Sequence, residues 1–162
     1  MGLSSPSKKE IYDPFRKKWV VATPEEKVRQ NLLQRMTLEL SYPRELISVE
    51  KALSEMPHIT ASHRSSCPDR RVDLVCFAKG IHPDHSLYPL ILIECKECSS
   101  LIEAAQQQVI GYNYFIKACF VAVAYPNGCK WGYYDSRMQR YAFSDQMPSY
   151  HELMKAVVHA RK

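Results

Sequence analysis

No run in the sequence approaches the roughly 18 consecutive apolar residues that a membrane-spanning helix requires. The opening stretch MGLSSPSKKEIYDPFRKKW is polar and basic and has no apolar signal-peptide core. Pro6 stands where a myristoylation signal wants Ser or Thr. These absences argue against a membrane partner and make a soluble cytoplasmic protein the expectation. A second CxxC is also missing. Cys95-Lys96-Glu97-Cys98 has the spacing, but a zinc site needs another ligand pair, and His82 with His85 is a weak substitute. The six cysteines therefore read as reduced thiols, several of them small hydrophobes inside apolar stretches. There is no internal repeat and no low-complexity segment.

What is present suits one domain of ordinary size: 162 residues, 46% hydrophobic and 24% charged. The organisation expected is a basic arm over residues 1–18 followed by a single domain over 19–162. Net charge is +5, with basic residues concentrated early and between Arg64 and Arg71, which is compatible with a polyanionic partner.

Thr23-Pro24-Glu25-Glu26 reads as a helix start, with Thr23 as N-cap, proline in the first turn and acids facing the helix dipole. The helix is expected to run to about residue 40 and to bury Val28, Leu32, Met36 and Leu40, with Leu33 at the edge of the stripe. A strand is expected over 46–50 and a polar loop over 54–70. Two strands follow, over 72–77 and 90–95, joined by a turn-rich segment that favours an antiparallel hairpin. A second helix capped by Ser99 or Ser100 runs to about Lys117, and a buried strand covers 120–124. A hairpin over 130–143 and a helix after Ser149 complete the chain.

The chemistry-bearing residues sit on the central strands. In Ile93-Glu94-Cys95-Lys96, strand alternation sends Glu94 and Lys96 to one side and Cys95 to the other. Asp73 interrupts the apolar strand Val72-Asp73-Leu74-Val75 and can approach Glu94 across the hairpin. Two carboxylates brought that close repel unless a cation lies between them. Magnesium, a hard ion that takes oxygen ligands and keeps several waters, is the natural guest, with manganese as the alternative. Lys96 would orient a water or stabilise a charged phosphate. A Glu-x-Lys tripeptide alone is better explained as an ordinary ion pair, and the upstream Asp73 is what lifts it above that. Gln108 and Tyr112, four apart on the second helix, share a face that can look back at the site. Glu25 shares a face with Arg29, Leu32 and Met36 and could reach the metal, with Glu26 as the alternate.

Several runs together resemble the N-terminal nuclease domain of type I restriction enzyme R subunits. They are Arg16-Lys17-Lys18-Trp19-Val20, Thr23 through Gln30, Ile47-Ser48-Val49-Glu50, Arg71-Val72-Asp73-Leu74-Val75, Leu92-Ile93-Glu94-Cys95-Lys96, Gln108-Val109-Ile110-Gly111-Tyr112-Asn113 and Pro126-Asn127-Gly128. The likeness spans residues 16 to 130 in order. It implies the PD-(D/E)xK superfamily and its restriction-endonuclease-like α/β fold, a three-layer core with a central mixed sheet flanked by helices. It further implies catalytic roles for Asp73, Glu94 and Lys96, and for Gln108 and Tyr112 through the family's QxxxY motif. Asp73, Glu94 and Glu25 become the expected magnesium ligands, and Arg29, Arg70 and Arg71 the expected nucleic-acid contacts. DNA is the implied substrate, and a second copy or a partner subunit the implied protein partner. R subunits continue into a helicase motor with a phosphate-binding GxxxxGK loop ending in Ser or Thr. This sequence has five glycines and no such loop, so a stand-alone domain without ATP hydrolysis is expected. The alternative is a nucleic-acid-binding or assembly module that uses the same fold without cutting.

Overall fold

The computed structural model describes residues 8–160. Two short strands, β1 (Glu10–Asp13) and β2 (Lys18–Val21), precede helix α1 (Pro24–Leu38) and strand β3 (Ile47–Ala52). A single helical turn, α2 (Ala61–Arg64), leads to the long hairpin β4 (Arg71–Lys79) and β5 (Leu87–Cys95). Helix α3 (Ile102–Ile116) crosses to β6 (Phe120–Tyr125), which is followed by β7 (Gly128–Asp135), β8 (Arg140–Asp145) and helix α4 (Tyr150–Ala160).

The six main strands lie in sequence order, β3 through β8. Every neighbour is antiparallel except β5 with β6, which are parallel because α3 carries the chain back over the sheet between them. Side-chain alternation then divides the core into two layers. Along β6, Phe120, Ala122 and Ala124 face Val28, Leu32 and Met36 of α1 and Leu153 and Val157 of α4. Val121 and Val123 face Ala105, Val109, Tyr112 and Ile116 of α3. This is the expected three-layer α/β arrangement with a mixed central sheet.

The helix ends follow the local chemistry. Thr23 caps α1 by accepting from the Glu26 N–H at 3.1 Å. Ser149 and Glu152 form a reciprocal capping box on α4, with bonds of 2.7 and 3.2 Å. The cap expected for α3 differs. Its N-cap is Leu101, reached through a 3-10 turn, and no side chain caps it, while the Ser100 hydroxyl engages the Cys98 thiol. The polar segment over 54–70 is better anchored than its composition implies, since Leu53, Met56 and Ile59 are buried in the α3 layer. The segment read as a basic arm also carries more structure than expected. From Glu10 it pairs with Lys18–Val21 as a two-stranded antiparallel ribbon, while residues 1–7 of the arm lie outside the described residues.

The C-terminus of α3 closes on a buried side chain. Lys117 takes the left-handed conformation, φ 59°, and the Asn113 amide clamps the next residue. It accepts from the Ala118 N–H at 2.7 Å and donates to the Ala118 carbonyl at 3.1 Å. Losing that clamp strands a buried backbone N–H. Asn113→Ala should therefore lower unfolding free energy by about 1–3 kcal/mol, read from urea denaturation. A variant as stable as the parent would show that the clamp is dispensable.

Candidate active site

The β4–β5 ladder runs from Lys79↔Leu87 to Leu74↔Ile93, with a shift of register between Cys76 and Phe77. One rung further stand Asp73 and Glu94, and there the two carboxylates take over the inter-strand bonds. The Asp73 N–H donates to Glu94 Oε1 at 3.2 Å, and the Cys95 N–H donates to Asp73 Oδ2 at 2.7 Å. On its other side β5 stays paired, since the Lys96 N–H donates to the Ala124 carbonyl at 2.8 Å. The expected convergence of Asp73 and Glu94 is therefore present, at the point where β4 and β5 part.

Glu94 is 3% exposed and Asp73 is half-buried. Burial, reinforced by the neighbouring charge of Asp73, pushes the Glu94 carboxyl up to about 9, while the Lys96 charge pulls the other way. Without a cation the deeper carboxylate thus keeps a proton. Glu25, in the first turn of α1, is half-buried and held above the ordinary carboxylate range by burial and by Asp73, with Lys96 and Arg29 opposing. Glu25, Asp73, Glu94 and Lys96 therefore share one electrostatic environment. Glu26 looks elsewhere. It is buried and takes hydrogen bonds from Arg16, Arg29 and Gln30. The geometry favours Glu25 over Glu26 as the helix acid nearest the pair.

Arg29, expected at the nucleic-acid interface, is buried instead, at 4% exposure. Its guanidinium contacts Glu26 at 2.8 Å, Asp73 at 2.9 Å and Glu50 at 3.5 Å. Buried among these acids, with its Nε left without a partner, the side chain is turned away from any surface a phosphate could reach and holds carboxylates together. Arg70 and Arg71, at the entrance to β4, are exposed and remain available. Gln108 donates to the Tyr112 hydroxyl at 2.7 Å, and Tyr112 is buried in the α3 layer. Among the described residues neither is hydrogen-bonded to Asp73, Glu94 or Lys96, so the structure forms the pair without joining it to the carboxylates.

Three participants were not singled out by sequence reasoning. Arg16 is ion-paired to Asp13, Glu26 and, at 3.3 Å, Glu50. Although burial opposes it, bonding to Arg16 and to backbone N–H groups holds the Asp13 carboxyl below its ordinary range. Glu50 lies between the Val49↔Leu74 and Lys51↔Val72 rungs, opposite Asp73, and adopts left-handed backbone with φ 52°. The one signal for Glu50 in the sequence was an acid at the end of an apolar strand. Arg16 and Asp13 carry no such signal, because their pairing depends on where the β1–β2 ribbon folds. In total, two guanidiniums face Asp13, Glu26, Glu50 and Asp73, so carboxylates outnumber cations.

That excess fits a divalent cation. The donors are all oxygen, and each Asp73 oxygen keeps a lone pair beyond the bond it already accepts. Among the described residues no three His, Cys, Asp or Glu side chains are gathered as a ready-made metal cluster. Magnesium does not need one, because one or two carboxylates with waters and phosphate oxygens suffice. The CxxC contributes nothing to the site. Cys95 is buried with its thiol pushed far up, first by burial, while Cys98 is exposed.

A family model described as the type I restriction enzyme R protein N terminus (HSDR_N) matches residues 24–148. The chain belongs to this family. The match takes in Glu25, Asp73, Glu94, Lys96, Gln108 and Tyr112. An HsdR fragment structure of a type I restriction enzyme from Vibrio vulnificus YJ016 aligns with TM-score 0.52 over 85% of this chain, at 13% identity. That likeness supports the HsdR-type fold, and this chain spans 25% of the Vibrio chain's length. No curated protein matches the sequence. Family membership relates this chain to the N-terminal part of type I restriction enzyme R proteins.

Two outcomes check the site's electrostatics. A carboxyl raised in the folded state holds its proton where the unfolded chain has released it. The metal-free fold therefore loses stability as pH rises from 4.5 toward about 9. Glu94→Gln keeps the Oε1 acceptor and removes that loss. Its melting temperature in EDTA at pH 8 should exceed the parent's, and the gain should vanish below pH 4.5. No gain at pH 8 would rule out the raised carboxyl. Arg29→Gln should instead cost about 3–5 kcal/mol in urea denaturation, the usual penalty for breaking a buried ion pair. If Arg29 served as a nucleic-acid contact, stability would be untouched.

Proposed function

We propose that this domain is a magnesium-dependent endonuclease that hydrolyses phosphodiester bonds in DNA in the cytoplasm, with manganese as a substitute ion. The observation that carries the reading is the splayed rung, where Asp73 and Glu94 are brought together beside the Lys96 charge. Asp73 and Glu94 would hold the ion, with Glu25 contributing from α1. Once bound, the ion would neutralise phosphate charge and acidify a water.

The chain's own residues supply the rest. Glu94 must give up its proton to become a ligand, which couples metal affinity to pH. Lys96, two residues past Glu94 and just beyond the end of β5, brings positive charge to where the phosphorane builds up negative charge. Arg29 holds Asp73 in place from behind. Gln108 and Tyr112 form a bonded pair on α3 whose face can hold a water or phosphate oxygen once substrate is present. Arg70 and Arg71 contact the backbone at the entrance to β4. No membrane is involved in this reading, and no helix among the described residues is long and apolar enough to cross one. ATP has no part in this reading. Cutting both strands from one site per chain calls for a second copy or a partner subunit.

One observation favours a second reading, binding without cleavage. Arg29 already occupies Asp73 Oδ1 at 2.9 Å, an ion pair that a metal would have to share. The deciding experiment is incubation of the full chain with supercoiled plasmid and magnesium or manganese, with and without EDTA. Nicking or linearisation is expected, abolished by EDTA and reduced at least about a hundredfold in Asp73→Ala and Lys96→Ala. Plasmid retained intact but shifted on a gel, equally in parent and variants, would establish the non-catalytic reading.

A further inference from the structure

The β1–β2 ribbon has one side fixed and one side open. On its fixed side, Arg16 joins the Asp13 turn to Glu26 of α1 and Glu50 of β3. Phe15 packs on the α1 core layer beneath the Arg44 guanidinium, which lies 4.6 Å from the ring centroid. Arg44 also donates to the Pro14 carbonyl at 3.0 Å. The Asp13 carboxylate closes the turn by accepting from the Phe15 N–H at 2.8 Å. The ribbon is thus held rigidly against the residues that surround the carboxylate pair.

The open side is built differently. Tyr12 and Trp19 are direct partners across the ribbon, so they share a face, and their rings meet edge-on at 5.6 Å. Tyr12 is 49% exposed and Trp19 65%. Lys8, Lys9, Lys17 and Lys18 stand at the two ends of the ribbon, all exposed, and among the described residues none of the four is ion-paired. Glu10 is the single exposed acid on the ribbon. Two large aromatics left in water within a fringe of free ammonium groups do nothing for the fold. Flat π faces accept any base, and lysines accept any phosphate, which is the chemistry of sequence-tolerant single-strand binding.

We propose that the β1–β2 ribbon is a grip for unpaired DNA: a base stacks on Trp19, Tyr12 braces the indole, and the lysines hold the flanking phosphates. The grip rests on the nuclease reading for the choice of DNA as ligand. It places the bound strand on an element tied through Arg16 to the catalytic end of the sheet. The pairing of Tyr12 with Trp19 sets the orientation of the indole, so its plane is presented before any ligand arrives.

The test measures binding without cleavage. Fluorescence anisotropy of labelled oligothymidine and of a duplex of equal length is followed with the full chain in EDTA. The parent should bind oligothymidine more tightly than the duplex. Trp19→Ala should weaken oligothymidine binding about ten- to a hundredfold, and Trp19→Phe should restore most of it. Lys17→Gln with Lys18→Gln should flatten the slope of log affinity against log salt by about 1.4. Circular dichroism melts confirm that the variants are folded. Equal affinity in Trp19→Ala overturns the grip while leaving the nuclease reading to the plasmid experiment, which does not depend on Trp19. A parent that prefers duplex, or binds neither DNA, also overturns it. So does a self-association in sedimentation that Trp19→Ala abolishes, since a second copy would then cover the aromatic pair.

Discussion

A buried backbone N–H must find an acceptor, and where β4 and β5 part, the acceptors are carboxylates. Asp73 and Glu94 complete the hydrogen bonding that the ladder would otherwise have supplied, each serving an N–H on the opposite strand. This one substitution governs the rest of the site. It holds two acids adjacent in a place of low water content, fixes their direction through the strand backbone, and leaves Lys96 on the same side as Glu94. A site built on sheet rungs is positioned more firmly than one carried by loops.

Placing acids there has an electrostatic cost, and the fold answers it with two arginines from different elements. Arg29 rises from α1 to Asp73, and Arg16 comes from the ribbon turn to Glu26 and Glu50. The compensation is incomplete, because carboxylates still outnumber guanidiniums and Glu94 retains a proton. A site left short of positive charge favours a cation over an anion. Full neutralisation by protein groups would leave an ion nothing to gain. The same arginines also join the ribbon, α1 and β3 to one another, so the arrangement of the carboxylates and the stability of this end of the molecule are not separable.

The parts of this arrangement that could be read from sequence are those fixed by local periodicity. Alternation along the strand sends Glu94 and Lys96 to one side, and antiparallel pairing of the hairpin brings Asp73 to Glu94. The Thr23 cap was equally legible. What escaped depends on distant chain. Arg29 shares one helix face with Glu25, Leu32 and Met36 by spacing and was expected to contact nucleic acid; only the assembled sheet shows that it bonds Asp73 and Glu50. Asp13 and Arg16 lie in a segment whose composition reads as a solvated arm, and pairing across the ribbon is what gives them their roles. The Ser99 and Ser100 expectation failed for a different reason: a 3-10 turn intervenes, and the chain enters α3 one turn later than the hydroxyls.

Glu50 holds a backbone shape that costs a residue with a side chain roughly 1–2 kcal/mol, and a glycine there would be relaxed. Glycine, however, would leave Arg16 and Arg29 each without one of their anions. The position is therefore caught between two demands, a peptide geometry that rejects a Cβ and a charge lattice that needs a carboxylate. Chain tension sits directly opposite Asp73, so any rearrangement that frees Glu50 from the arginines also lets the edge strand relax.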